Sequence, residues 1–336
     1  VKLTKLPKEV VHQLKGGEQA GRIARSSSSI FTLWSDRGVL QGHLSGKLRY
    51  ESSVRPVTGD WVVFEPFDQE KAMIHRVLTR ETVLSRREPG TEHREQIIAA
   101  NMDAVVIMTA MTAEFNMQRL ERYVYQVYES GARPLIVCTK RDLYDEPEAL
   151  VAQIEQRIPA VPVYGLSSLS LEGMEVFIKE LSPLQTYVLI GSSGVGKSTL
   201  INNLLGQSVQ QTKQVRLQDD KGRHTTTHRE MFALENGAIL IDTPGMREVQ
   251  LWGNAEGVEA AFSDIEQLAA RCKFRDCKHE SEPGCAVLKA IDKGDLRTDR
   301  VKSYHKLSRE LERLDLKEKY GTHRANRILH GPNSHK

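Results

Sequence analysis

Residues 191–198 read Gly-Ser-Ser-Gly-Val-Gly-Lys-Ser, a match to G-x-x-x-x-G-K-[ST] set between an apolar run at 187–190 and a helical pattern at 198–205. No other feature constrains the fold as much, because this one demands a strand that ends in a glycine-rich turn and opens a helix. Glycines let the backbone wrap an anion, so that N–H groups and the helix N-terminus face phosphate. In such a site Gly191, Ser192, Ser193, Gly194, Val195 and Gly196 form the cradle and Thr199 lies in the first helical turn. Lys197 reaches the β- and γ-phosphates and the Ser198 hydroxyl ligates Mg²⁺. A Gly/Ser-rich turn with no ligand is the competing reading, and it does not account for the full match in this context.

Further motifs fit the same site. An apolar strand at 239–241 leads into Asp242-Thr243-Pro244-Gly245, where Asp242 can hold Mg²⁺ and the Gly245 N–H can meet a γ-phosphate. Between the two motifs lies Gly222-Arg223-His224-Thr225-Thr226-Thr227, a polar stretch from which Thr226 is the candidate to close over Mg²⁺; an exposed loop is the alternative. The choice of base falls to Thr139-Lys140-Arg141-Asp142, after an apolar run at 134–138. The Asp142 carboxylate can accept from guanine N1–H and the exocyclic amine, a donor pair that adenine lacks. Lys140 can lay its stem along the base, and the Ser167-Ser168 turn can present an N–H to guanine O6. Alone, these four residues would pass for a surface Lys/Asp pair.

The surrounding pattern divides the chain. Up to about residue 80, short apolar runs at 21–24, 30–34, 38–44, 60–64 and 72–78 are punctuated by Gly, Ser and Pro, which predicts a small barrel, either an OB-fold or an SH3-like one. From about residue 91, unbroken apolar strands at 103–109, 134–138, 161–164, 187–190, 229–234 and 238–241 alternate with helical segments at 117–128, 147–158, 171–181 and 198–205. That alternation predicts a mostly parallel sheet covered on both faces. Beyond Trp252 the chain turns helical and charged around Cys272, Cys277, His279 and Cys285. Three thiolates and an imidazole suit a closed tetrahedral structural Zn²⁺ site, whereas the isolated Cys138 sits in an apolar strand as a small hydrophobe. The expected units are 1–85 (barrel), 92–250 (nucleotide-binding α/β domain) and 251–336 (helical zinc-binding domain with a basic tail).

Motif order carries a family resemblance. Ordinary GTPases place the phosphate loop first and the base-reading motifs last; here 139–142 and 167–168 precede 191–198 and 242–245. Together with an N-terminal barrel and a C-x4-C-x-H-x5-C cluster, this order closely resembles the RsgA/YjeQ family of ribosome-assembly GTPases. The resemblance implies a multidomain chain: an OB-fold, a circularly permuted G domain and a zinc domain. It further implies GTP hydrolysis with Mg²⁺, coupled to late maturation of the 30S ribosomal subunit through contact with 16S rRNA. His224 is the position the family uses to orient the attacking water, and Met246 stands where many GTPases have glutamine. The family usually has Asn at the position of Thr139; Asp142 still decides the base, so a modest loss of affinity is expected.

Composition narrows the alternatives. Net charge is +3, with basic residues gathered near both ends, including Arg22, Arg25 and the stretch from Arg300 onward, a distribution that fits either a polyanionic partner or solvated faces. No run approaches the roughly 18 apolar residues of a membrane span, and residues 1–15 lack a secretory apolar run, so a cytoplasmic protein with no membrane partner is expected. Without extended heptads, a monomer is expected. Two other functions remain open: a GTP-gated RNA-binding module with incidental turnover, and a P-loop kinase or ATPase, against which Asp142 and the motif order both argue. The permutation also leads directly from the Asp242 strand to the zinc segment. Nucleotide state is therefore expected to be reported there, with the barrel a steadier anchor away from the phosphate-sensing loops.

Overall fold

The computed structural model describes residues 2–3, 5–27, 30–52, 54–87, 95–113, 115–206, 229–243 and 256–330. After a short helix α1 (Lys8–His12), strands β1 (Gln19–Ser26), β2 (Phe31–Ser35), β3 (Gly38–Leu44), β4 (Trp61–Pro66) and β5 (Lys71–Val77) close a barrel. Their order is β1-β2-β3-β5-β4 with β4 returning to β1; β3 and β5 are parallel and the other pairs antiparallel. Helix α2 (Gly46–Tyr50), capped by the Ser45 hydroxyl on the Leu48 N–H, lies between β3 and β4. This connectivity is the OB-fold and excludes the SH3-like alternative. Alternate residues fill the interior, among them Ile23, Leu33, Leu40, Val62, Phe64 and Ile74, all at most 3% exposed.

A hairpin that the apolar pattern does not announce, β6 (Val83–Arg87) with β7 (Glu95–Ala100), follows the barrel. The central sheet then runs β12-β13-β11-β8-β9-β10, built from β8 (Ala104–Ala110), β9 (Arg133–Thr139), β10 (Val163–Gly165), β11 (Thr186–Gly191), β12 (Glu230–Ala233) and β13 (Ile239–Asp242). Its strands are parallel except for β12 at the edge. The expected strand at 161–164 begins two residues later, and the helix expected at 171–181 is trimmed to α5 (Met174–Glu180). Period-two alternation sorts side chains to the two faces. Val105, Ile107, Ile136 and Ile190 meet α3 (Met117–Glu129) and α4 (Pro147–Arg157) on one face. On the other, Val106, Met108, Val137 and Leu189 meet α5 and α6 (Lys197–Leu205). Strand order reverses between β8 and β11, where parallel α/β sheets open a ligand crevice at the carboxyl ends of their strands.

The barrel does not stand away from the phosphate side of the sheet. Its β1 pairs antiparallel with β12, Arg25 opposite Glu230, and the Thr58 hydroxyl donates to the Arg229 carbonyl at 3.2 Å. Arg22, counted in sequence among exposed basic residues, is 4% exposed; it donates to the Gly59 and Asn101 carbonyls and to Thr186 Oγ1 and stacks on Trp61. Burial lowers its pKa to about 10, and these acceptors satisfy its donors. The barrel thus also meets the far edge of the sheet: an edge strand with free N–H and C=O groups needs a partner, and β1 supplies it for β12.

Helices α7 (Glu256–Ala261), α8 (Ser263–Ala269), α9 (Ala286–Lys293) and α10 (Thr298–His330) pack on the α3 and α4 side. Their docking centres on Glu121, 2% exposed, which accepts from Arg157 at 2.7 Å and from Arg300 at 2.8 Å. Arg157 also meets Asp299, while Arg300 meets Asp264 and covers the Phe262 ring at 4.1 Å. Arg300, too, is buried rather than part of a solvated basic tail. Among the described residues, no helix is long and apolar enough to cross a membrane.

Gly59 holds the barrel against this frame. It has φ +95, and a Cβ there would lie 2.0 Å from the Ala100 carbonyl oxygen. Gly59→Ala is expected to reduce unfolding free energy by about 3 kcal/mol, read as a lower denaturant midpoint.

Candidate functional site

Strand β11 ends at Gly191, where a Cβ would approach the Met108 carbonyl oxygen to 2.5 Å, so only glycine lets the chain leave the sheet beside β8. The loop that follows places Gly194 (φ 78) and Gly196 (φ 97) in left-handed conformations and enters α6 at Lys197. Its ammonium group arches back over the loop, donating to the Gly191 carbonyl at 2.5 Å and the Ser192 carbonyl at 3.0 Å. Burial depresses the Lys197 pKa, and the charge of Asp242 pulls the other way. Asp242 sits at the end of β13 in register with Leu189 of β11, and the buried hydroxyl of the next residue, Thr243, donates to the Leu189 carbonyl at 2.6 Å. Thus Ser192, Ser193, Val195, Ser198 and Thr199 lie on one loop and helix start, with the Asp242 carboxylate on the neighbouring strand. A hydroxyl and a carboxylate so placed are hard oxygen donors of the kind Mg²⁺ takes.

Thr139, at the end of β9 and 2% exposed, donates its hydroxyl to the Val195 carbonyl at 2.6 Å. A residue on the base-reading motif therefore braces the phosphate loop directly. Next, Lys140 adopts φ 59, and Arg141–Leu143 form a single 3₁₀ turn that contains Asp142. The Arg141 N–H reaches the Leu166 carbonyl at 3.3 Å, which sets this turn beside the one carrying Ser167 and Ser168. There the Ser167 hydroxyl accepts from the Leu169 and Ser170 N–H groups, and Asn203 of α6 donates to the Ser168 carbonyl at 2.7 Å. Sequence reasoning did not mark Asn203, because nothing in a helical pattern says which loop it will face. Thr112 and Arg119, also unmarked, line a depression together with Lys140, Ser192, Ser193 and Gly194. His224, Thr225, Thr226, Thr227, Gly245 and Met246 lie outside the described residues.

The second cluster lies before and at the start of α9. Cys272, Cys277, His279 and Cys285 place their ligand atoms within 4.8 Å of one another. The Cys272 and Cys285 sulfurs are 3.8 Å apart, and His279 Nδ1 is 3.3 Å from Cys285 Sγ and 3.6 Å from Cys272 Sγ. A tetrahedral Zn²⁺ with bonds of about 2.3 Å to sulfur and about 2.0 Å to nitrogen needs edges of about 3.5–3.8 Å, so Cys272, His279 and Cys285 stand close to ligand spacing, with Cys277 within 4.8 Å of them. The surroundings favour the ligating form at Cys272 and His279, whereas burial pushes the Cys277 thiol up to about 11. Although burial opposes it, N–H groups of Ala286 and Val287 hold the Cys272 thiol below its ordinary pKa; burial keeps the His279 imidazole neutral. Cys138, by contrast, has its thiol pushed up to about 12 by burial and is inert.

With this geometry in hand, likeness to known proteins is specific. The family profile described as RsgA GTPase matches residues 77–252. A Methanosarcina acetivorans protein named small ribosomal subunit biogenesis GTPase RsgA is 46% identical over 313 residues, covering 92% of this chain and 84% of its own. Among solved structures, YjeQ from Thermotoga maritima has a TM-score of 0.67 at 24% identity, covering 88% of this chain and 98% of its own. YloQ, described as a circularly permuted GTPase, has a TM-score of 0.66 at 24% identity, covering 88% and 96%. The two structures carry the likeness of fold, and the first relative carries that of sequence.

Thr139→Val keeps the shape of the side chain and removes its donor, leaving the Val195 carbonyl without that bond. An unfolding free energy lower by about 1–2 kcal/mol is expected for the nucleotide-free protein, measured by denaturant titration.

Proposed function

The chain belongs to the RsgA GTPase family, and from that premise we propose that it hydrolyses GTP at the 191–198 loop in the service of small ribosomal subunit maturation. The observation that carries this reading is the meeting, at one end of the sheet, of the phosphate loop, Asp242 and the base-reading strand, joined by the bond from Thr139 to Val195. The chain is a GTP hydrolase by family, and the roles of its residues follow from chemistry. Backbone N–H groups from Gly191 to Thr199 surround the phosphates, and Lys197 exchanges its two carbonyl acceptors for β- and γ-phosphate oxygens. Ser198, Asp242 and Thr226 are the residues that would hold Mg²⁺, which when bound neutralises charge developing on the β- and γ-oxygens. Gly245 offers its N–H to the γ-phosphate. Asp142 reads guanine N1–H and the amine, Lys140 lies along the base, and the Ser167-Ser168 turn meets O6. With Met246 in the usual glutamine position, His224 orients the attacking water through a hydrogen bond from its imidazole.

The partner is the 30S subunit and its 16S rRNA, a reading supported by the name of the M. acetivorans relative and by the OB-fold, an architecture that binds oligonucleotides. Residues 1–85 form the barrel, 92–250 the nucleotide-binding unit and 251–336 the zinc-bearing unit of a cytoplasmic monomer. A GTP-gated RNA-binding module with incidental turnover is the second reading, favoured by Met246. Steady-state GTP hydrolysis measured with and without isolated small subunits separates the two. Stimulation of about a hundredfold or more is expected in the wild type, and its loss with retained GTP binding is expected in His224→Ala. Unstimulated turnover would favour the second reading.

The Cys₃His cluster holds one structural Zn²⁺, its four ligands leaving no open position for chemistry. Elemental analysis is expected to find about one equivalent, and Cys277→Ser to lower it well below that while GTP affinity is kept. Protein that purifies fully folded without zinc would remove the metal from this account.

A further inference from the structure

Arg141 makes contacts that the scheme above does not use. Its Nε donates to Glu172 Oε1 at 2.8 Å and its Nη2 pairs with Glu148 in the first turn of α4. The Arg141 side chain is 20% exposed, whereas its two carboxylate partners are 56% and 73% exposed. Room for the guanidinium comes from Gly165, where a Cβ would lie 3.3 Å from Arg141 Nη1. Ion pairing with Glu172 first, and with Glu148, holds the Arg141 pKa above its ordinary value although burial opposes it.

Resting on the reading of Asp142 and the Ser167-Ser168 turn as the elements that recognise guanine, we propose that Arg141 is a positioning residue for base specificity, acting through Glu172 to fix the spacing of those two elements. Arg141 and Asp142 share one 3₁₀ turn, so anchoring the guanidinium anchors the neighbouring carboxylate. Glu172 is in turn continuous with the other element. Its carbonyl accepts from the Ser167 N–H at 2.9 Å and closes the loop, while left-handed Leu171 and Gly173 turn the chain on either side. Asn203 holds the same loop from the phosphate-binding helix through the Ser168 carbonyl. The loop is thus referenced to the phosphate site by Asn203 and to Asp142 by Arg141. Beside the pair with Glu172, the two turns are tied by the Arg141 N–H on the Leu166 carbonyl, at a long 3.3 Å. Recognition of two donors on one base edge tolerates misplacement of only about 0.5 Å, so this spacing matters to affinity. The planar guanidinium fork spans carboxylates on two different elements, which a lysine ammonium would not hold in a fixed plane. A half-exposed ion pair adds little to global stability, and this separates its effect on specificity from any effect on folding.

The test uses the full chain with Mg²⁺ and compares GTP with inosine triphosphate, which lacks the exocyclic amine. For Glu172→Ala, a KM for GTP raised about tenfold is expected, with kcat within about twofold and the preference for GTP over ITP reduced about fivefold. Glu172→Gln keeps an acceptor for Arg141 Nε and is expected to restore more than half of that preference. Equal losses for GTP and ITP, or no change in either, would overturn the proposal. Asp142→Asn in the same assay checks the premise. If that variant keeps the wild-type preference, the guanine reading of Asp142 fails and the proposal with it. If it abolishes the preference while Glu172→Ala does not, only the role of Arg141 fails.

Discussion

In the proposed site, phosphate and base are read from the ends of strands that are not neighbours. Strand β8 lies between β9, which ends at Thr139 and leads into the turn of Asp142, and β11, which leads into the phosphate loop. The bond from the Thr139 hydroxyl to the Val195 carbonyl spans that gap inside the protein, where an unpaired carbonyl would be costly. It gives the loop backbone a fixed reference on the base-reading strand. Further order is built on that reference: Lys197 folds over carbonyls already held in place, and Asn203 carries the same frame from α6 to the Ser168 carbonyl. Asparagine is usual in this family at position 139, and a hydroxyl here does the bracing with one donor. The threonine hydroxyl reaches the loop at 2.6 Å.

Much of this was legible in the sequence because it is local. Unbroken apolar runs marked β8, β9 and β11, since strands covered on both faces have no polar side. Glycine spacing marked the phosphate loop, and four ligand-type residues marked the cluster at Cys272–Cys285. What escaped is what depends on distant partners. The β6–β7 hairpin carries Arg86, Arg87, Glu95 and Gln96 in place of apolar residues, and its register shifts between Leu84 and Ser85, so no clean period survives. Arg22 and Arg300 looked like surface charge because charge ordinarily is surface. Each is buried because distant residues supply acceptors: Thr186 and Asn101 for the first, Glu121 and Asp264 for the second. Asn203 and Glu172 were invisible for the same reason.

These distant partners also revise what the permutation does. Read along the chain, the Asp242 strand leads to the zinc segment, which made that segment the natural recipient of any change at the phosphates. In space the same strand has a second neighbour. β13 pairs with β12, Asp242 opposite Glu230, and Glu230 is itself opposite Arg25 of the barrel. One ladder therefore connects the phosphate side of the sheet to the OB-fold within two strand steps. The C-terminal helices are held on the opposite flank, at α3 and α4, through a glutamate shared by two buried arginines. Breaking such a buried pair by removing one partner is costly, so this docking favours a defined register over sliding. The barrel is thus coupled through main-chain hydrogen bonds and the C-terminal helices through side-chain ions. In space, β13 is therefore two strand pairings from the barrel, a neighbour that the chain order does not suggest.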